Sequence, residues 1–222
     1  MESIWNSLQG LTEGPGGQEK ILERKFIESL DLEGFKCLDI GFNYGWWSWL
    51  FLKQIGSNGM VYAWEPNRFL YENYLDKWRF KNLIGYDYAL SDMTGTQDFY
   101  IYSHKEHQSG FNSLEKIRDQ EPNHIEKIKT MTLDDWWIQN NQPKIDFLKI
   151  DCEGHDYKIL QGGRHLLDKS RPAFVVVEMK NKEVEHFMKK LGYSDQHQYT
   201  EIGLNDSTIW RQSIQSTKED IE

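Results

Sequence analysis

Positive charge is what this 222-residue sequence is shortest of: 26 Lys and Arg stand against 35 Asp and Glu, a formal net charge of −9. Proteins that grip nucleic acid neutralise phosphates with a basic face, and no basic stripe runs along this chain. Nucleic acid is not an expected partner. Long apolar runs are missing too. The densest, residues 46–52, falls far short of the roughly 18 residues that cross a bilayer, and it carries Ser48. The opening Met1-Glu2-Ser3-Ile4-Trp5 lacks the basic-then-apolar layout of a secretory leader. No membrane is expected to be involved, and a cytoplasmic location is the default. Cys37 and Cys152 are too few for a disulfide framework or a thiolate metal site. They adjoin strand-like runs, one at a start and one at an end, which would hold them too far apart to bridge. Repeats and low-complexity tracts are also lacking.

Aromatic residues are plentiful, with 9 Trp, 11 Tyr and 11 Phe. So many large rings indicate a folded chain despite a mean hydropathy of −0.73. The length suits one sizeable domain. Gly14-Pro15-Gly16-Gly17 separates a short N-terminal segment from a helix in which Leu22, Phe26 and Leu30 recur every fourth residue, ended by Gly34. Next come a strand over 35–40, a helix over 45–55, a strand over 60–64, a helix over 69–81 and a strand over 83–89. This alternation predicts right-handed crossovers in an α/β fold, with helices on both faces of a parallel sheet. Strands over 97–103 and 125–131 flank an irregular polar stretch. Thr132-Leu133-Asp134-Asp135 then opens a helix as a capping box. A strand over 145–150, a helix over 156–167, a strand over 173–177 and a helix over 182–191 follow. Segments 193–199 and 208–212 suit an antiparallel hairpin. The expected division is an N-terminal helical segment, 1–34, packed on a domain over 35–212, with a frayed tail over 213–222.

Three places carry residues suited to chemistry. The first is Asp39-Ile40-Gly41-Phe42-Asn43-Tyr44-Gly45, a strand-to-helix turn whose glycines let a ligand approach the backbone. The second is Glu65, 24 positions beyond Gly41 at the end of the next strand. An acid there accepts the hydroxyls of a nucleoside ribose, at an expected separation of roughly 20 residues. A dinucleotide's pyrophosphate needs close-set glycines and a bare helix N-terminus. Here Gly41 and Gly45 are four apart among bulky rings, and Asp39 would repel phosphate but orient a ligand ammonium through water or a backbone amide. That pattern favours S-adenosylmethionine over NAD. The third place is Lys149-Ile150-Asp151-Cys152-Glu153-Gly154-His155-Asp156, on the same sheet edge if the strands are parallel. Asp151, Glu153 and His155 are the candidates to face a substrate hydroxyl. Capping of the following helix is the structural alternative for the acids, and Lys149 is expected to pair with them. His104 and His107 read as a solvated pair. Trp46, Trp47 and Trp49 are expected to pack a helix on the sheet, with Trp136 and Trp137 split between core and surface.

The chain resembles the FkbM family of S-adenosylmethionine-dependent methyltransferases. The similar stretches run in order from Leu38-Asp39-Ile40-Gly41 through Trp64-Glu65-Pro66-Asn67, Ala89-Leu90-Ser91-Asp92, Thr132-Leu133-Asp134-Asp135 and Lys149-Ile150-Asp151-Cys152-Glu153-Gly154. They continue with Leu160-Gln161-Gly162-Gly163 and Arg171-Pro172 ahead of Val177-Glu178. The resemblance implies a Rossmann-like class I methyltransferase: a mostly parallel seven-stranded sheet ending in an antiparallel hairpin. It implies that Asp39, Gly41, Asn43 and Gly45 line the amino-acid end of the cofactor, that Glu65 holds its ribose, and that Asp87, Ala89 and Leu90 border its adenine. Residues 109–114 look like the family's Ser-rich loop beside the active site. Phe42 and Tyr44 depart from the family's smaller residues at the turn. The implied reaction is methyl transfer to a hydroxyl of a small molecule or glycan. A divalent metal held by Asp151, Glu153 and Glu178 is a disfavoured addition. The competing readings are an NAD(P)-linked oxidoreductase and a non-catalytic cofactor-binding module.

Overall fold

The computed structural model describes residues 17–102, 112–116, 120–178, 181–195 and 208–212. Residues 1–16, the His104 and His107 pair, Ser109 to Phe111 and the 213–222 tail lie outside the described residues.

Alternation along the short strands sorts their side chains to two faces. On β1 (Lys36–Ile40), Cys37 points one way and Leu38 and Ile40 the other; on β8 (Phe174–Val177), Phe174 and Val176 oppose Val175 and Val177. The first face packs on α1 (Gly17–Glu28) and α2 (Trp46–Gln54), through Phe26, Ile27, Trp47 and Phe51. The second packs on α4 (Leu133–Gln139), α5 (Asp156–Gly162), α6 (Arg164–Lys169) and α7 (Lys182–Lys190), through Trp136, Ile159, Leu166 and Met188. Between them lies a seven-stranded sheet. Its order is β3 (Leu83–Tyr86), β2 (Met60–Trp64), β1, β7 (Phe147–Ile150), β8, β10 (Thr208–Gln212) and β9 (Tyr193–Asp195). The first five are parallel, and β10 runs antiparallel to both β8 and β9, closing the expected hairpin. Both thiols are free, with Cys37 paired opposite Phe147 near the bottom of β7 and Cys152 beyond its top.

Three expected elements break, each for a physical reason. The strand over 83–89 becomes two. β3 stops at Tyr86 because its partner β2 ends at Trp64 and Pro66 has no N–H to offer. The chain then leaves the sheet, and β4 (Ala89–Ser91) joins β5 (Gly95–Ile101) and β6 (His124–Thr132) in a separate three-stranded sheet, ordered β4-β6-β5. The helix over 69–81 shortens to α3 (Arg68–Asn73), capped by the Asn67 side chain, plus a 3₁₀ turn at Leu75–Lys77. Packing overrides propensity there, as Tyr74 sets its ring edge-on to Tyr44 at 4.9 Å and Leu75 is buried. The helix over 156–167 divides at Gly162-Gly163, and the Asp134 carboxylate accepts from His165 N (3.0 Å) and Leu166 N (2.8 Å) to start α6. Trp136 and Trp137 do not split between core and surface: both are buried, and Ile138 takes the exposed side of α4. Thr132 does cap that helix, accepting from Asp135 N at 3.0 Å. Among the described residues no helix is long and apolar enough to cross a membrane.

Candidate functional site

Register places the functional side chains. Ile40 pairs with Trp64 on β2 and Ile150 on β7, and Ile150 pairs with Val177 on β8. The next residue of each strand therefore falls in one row along the carboxyl edge: Glu65, Gly41, Asp151 and Glu178. Backbone bonds extend the ladder into that row, from Gly41 N to Trp64 O (3.2 Å), Asp151 N to Ile40 O (3.1 Å) and Glu178 N to Ile150 O (3.1 Å). Neighbouring strands lie about 4.8 Å apart, so Glu65 and Asp151 stand roughly 10 Å from one another across Gly41.

Gly41 is required by this crowding. Its φ is +86°, and a Cβ placed there would come within 2.0 Å of Asp151 O. Phe42 and Tyr44 turn away from the edge. Phe42 packs edge-on to Trp78 at 5.1 Å and Tyr44 to Tyr74 at 4.9 Å. The turn is not plugged by its own rings. It opens on a cleft whose floor includes Gly41, Asn43, Glu65, Asp151 and Glu153, with Leu70, Ala89, Leu90 and Phe99 supplying apolar wall.

Glu65 is 5 % exposed, with Oε2 accepting from Asn43 N (2.7 Å) and Oε1 from Asn67 N (2.9 Å). Burial pushes its carboxyl up to about 7 against the opposing pull of those two N–H groups. Each oxygen retains a further lone pair for a ligand hydroxyl.

Asp39 is enclosed rather than open to a ligand. Its Oδ2 accepts from Ser48 N (2.9 Å) and Ser48 Oγ (2.6 Å), satisfying an amide in the first turn of α2, where Gly45 has no side chain to cap with. Its Oδ1 lies 3.2 Å from Lys149 Nζ. Lys149 donates to Gly41 O (2.8 Å) and stands 3.5 Å from Asp151 Oδ2. Burial opposes the ammonium, yet Asp151 and Asp39 hold it well above the ordinary lysine value. Asp39, Gly45, Asp87 and Glu178 are absent from the cleft lining, whereas Gly41, Asn43, Glu65, Ala89, Leu90, Asp151, Glu153 and His155 belong to it.

The three acids at the tips of β7 and β8 differ in proton affinity. Asp151 would be raised by burial, but Lys149 and Glu178 hold its carboxyl below the usual range. Burial and Asp151 push Glu178 up to about 9, and burial, Asp151 and Asp156 push Glu153 up to about 7. Glu153 also sits at φ +50°, an uncommon conformation for a non-glycine residue that marks a constrained turn. Oxygen atoms of the three lie within 4.8 Å of one another, a spacing that could hold a cation. Lys149, 3.5 Å from Asp151 Oδ2, already supplies one positive charge to the set.

His155 faces the cleft but is fully engaged. Its Nδ1 donates to Glu115 Oε1 at 2.8 Å, and Nε2 lies 2.9 Å from Ser91 Oγ. Burial lowers its pKa against the pull of Glu115. Lys158 holds the same Glu115 oxygen at 2.8 Å. Sequence reasoning did not find Ser91, Glu115 or Ser113 as partners here, since their contacts span 39 to 64 residues. Ser113 bridges Tyr100 on β5 in antiparallel fashion, and its Oγ donates to Glu153 O at 2.9 Å. This lays residues 112–114 over the β7 tip as one wall of the cleft.

The family described as the methyltransferase FkbM domain matches residues 39–194, most of the chain. No curated protein shows a significant sequence match. Among solved structures the fold is similar to fibrillarin from Aeropyrum pernix, crystallised with natively bound S-adenosyl-L-methionine. That pair is 11% identical at a TM-score of 0.46, over 82% of this chain and 67% of the other. It is also similar to a SAM-dependent methyltransferase from Aquifex aeolicus (14% identity, TM-score 0.40, 86% and 89% covered) and to a putative rRNA-methylase from Clostridium thermocellum (9%, 0.39, 78% and 84%). These TM-scores all fall below 0.5, too distant a likeness to add to the family match.

Proposed function

Because the chain belongs to the FkbM family of S-adenosylmethionine-dependent methyltransferases, we propose that it methylates a hydroxyl oxygen of a small molecule or sugar, with Glu65 gripping the cofactor ribose and Glu153 taking the proton. The observation that supports this reading is the row of Glu65, Gly41 and Asp151 along the floor of one cleft, with Glu153 beside it. Bound S-adenosylmethionine supplies a methyl group activated by its sulfonium. The chain's own residues bind, align the acceptor and receive a proton.

Glu65 offers spare lone pairs to ribose hydroxyls, and the glycine turn lets the ligand lie against backbone. Among the acids, Asp151 is held ionised by Lys149 and is a weak base. Glu178, raised to about 9, carries its proton at neutral pH. Glu153, raised to about 7, is in the range where a carboxylate is both free and basic enough to accept a hydroxyl proton. His155 spends its nitrogens on Glu115 and Ser91 and serves as a positioning residue. No Lys or Arg lines the cleft among the described residues, so a neutral acceptor suits it better than a polyanion such as RNA.

The test is transfer of radiolabelled methyl from S-adenosylmethionine to a panel of sugars, phenols, amines and RNA. Label on hydroxyl compounds, lost in Glu153→Gln, supports the proposal. Label confined to amines or RNA overturns it.

A further inference from the structure

Two strands end the seven-stranded sheet and two end the smaller one, and an open edge offers its backbone groups to any other chain. Three of the four are blunted. On β5 the outer side at Tyr100 is taken by Ser113, whose N–H and C=O bond it at 3.2 and 2.8 Å. On β4, Gly162 of α5 lies so close to Ser91 O that a Cβ there would come within 2.1 Å. β9 carries Asp195. β3 is the exception: Leu83-Ile84-Gly85-Tyr86 has neither charge nor proline.

Its ladder shows which groups are free. The carbonyl groups of Asn82 and Tyr86 turn to β2, accepting from Val61 N (2.9 Å) and Glu65 N (3.0 Å). Alternation turns the backbone groups of Leu83 and Gly85 away from the sheet. Leu83 O and both backbone groups of Gly85 have no partner among the described residues, and Leu83 N reaches only Phe80 O, at 3.4 Å. Beside the strand, Tyr71, Leu75, Trp78 and Phe80 line a groove that Leu83 and Gly85 complete. Ile84, on the other face of the strand, is 40 % exposed.

This edge is complementary to itself. For two copies to exchange bonds antiparallel, residues with outward groups must meet, so a two-fold axis passes beside Ile84 or Gly85. An axis at Gly85 sets apolar Leu83 against Asp87 of the second copy. An axis at Ile84 lets Leu83 and Gly85 exchange both bonds, sets Ile84 against its own copy and brings Lys81 to Asp87. Lys81 and Asp87 are exposed, and neither has an ion-pair partner among the described residues. Opposite charges facing one another across paired strands are favourable, and a two-fold makes each such contact twice.

We propose that β3 is the seam of a symmetric dimer of this chain, paired antiparallel to its own copy about Ile84 and closed at each end by Lys81 and Asp87. The inference is independent of the reaction assigned to the cleft.

Sedimentation equilibrium of the full chain tests it and should show a monomer–dimer equilibrium. Lys81→Asp and Asp87→Lys each place like charges across the seam, and each should weaken dimerisation tenfold or more. An equimolar mixture of the two variants should regain wild-type association, because every junction then joins opposite charges. Ile84→Lys sets two ammonium groups against one another on the axis and should leave the chain monomeric, with its circular dichroism unchanged. A wild-type chain that stays monomeric overturns the proposal and leaves the edge to a different partner. A dimer that none of these changes weakens, or folded charge variants that do not recombine, overturns it too. Should the variants fail to fold, hydrogen exchange in the wild type decides. Exchange of the Gly85 amide should slow as protein concentration rises, and a rate independent of concentration overturns the seam.

Discussion

Asp39 and Lys149 are in-register partners on adjacent strands β1 and β7, with Oδ1 and Nζ 3.2 Å apart and both side chains almost wholly excluded from solvent. Strand periodicity puts them on the α2 side of the sheet, two residues below the row that carries Gly41 and Asp151. The pair joins three things that the site needs in place. Asp39 holds the start of α2 through Ser48, and Lys149 holds the Gly41 carbonyl and the Asp151 carboxylate.

Removing one member of a buried ion pair strands the other. Lys149→Met is expected to cost about 3–5 kcal/mol of stability in urea unfolding, and Asp39→Asn combined with it should cost less than the sum of the single changes. Additive losses would show that the two side chains do not act as a unit.

Gly41→Ala forces a methyl group toward Asp151 O from a backbone with positive φ. It should lower stability by at least about 1 kcal/mol and abolish detectable S-adenosylhomocysteine binding in calorimetry. Wild-type affinity in this variant would mean that the ligand does not use the turn.

Glu65 sets a pH dependence for ligand capture. A hydroxyl bonds more strongly to the ionised carboxylate than to the neutral acid, and burial has raised this group to about 7. Affinity for S-adenosylhomocysteine should therefore fall about tenfold from pH 8 to pH 6, with protons released on binding near neutrality. Calorimetry in buffers of different ionisation enthalpy measures both. Glu65→Gln should bind weakly and without that pH dependence.

Stability of the ligand-free protein carries the opposite sign. Glu178 is raised from 4.5 to about 9, so its contribution is complete below about pH 4.5 and is lost as pH climbs through 9. Glu178→Gln, which cannot ionise, should melt about 3 °C above the wild type at pH 9, the shift expected for about 1 kcal/mol in a chain of this size. Below about pH 4 the advantage should vanish. A constant difference across pH would point to packing instead of titration.

Much of the architecture was readable because buried parallel strands show as short apolar runs closed by glycine or proline, as at Ile40-Gly41 and Trp64-Glu65-Pro66. The terminal hairpin and the cap at Thr132 were readable for similarly local reasons. The division of residues 83–89 was not, because it depends on β2 running out of partners, which a neighbouring strand decides. The same limit applies within the cleft. Spacing brought Gly41, Glu65 and Asp151 to one edge, since each ends a strand. The enclosure of Asp39 depends on Lys149, 110 residues away, and the engagement of His155 depends on Ser91 and Glu115.

The large rings after Gly41 look like obstacles in a nucleoside-binding turn, yet Phe42 and Tyr44 are rooted sideways in Trp78 and Tyr74. They serve as ballast. A turn moored this way is assembled before any ligand arrives, so capture should proceed as a docking onto a finished surface, with little of the ordering cost that a glycine-rich loop incurs when it closes.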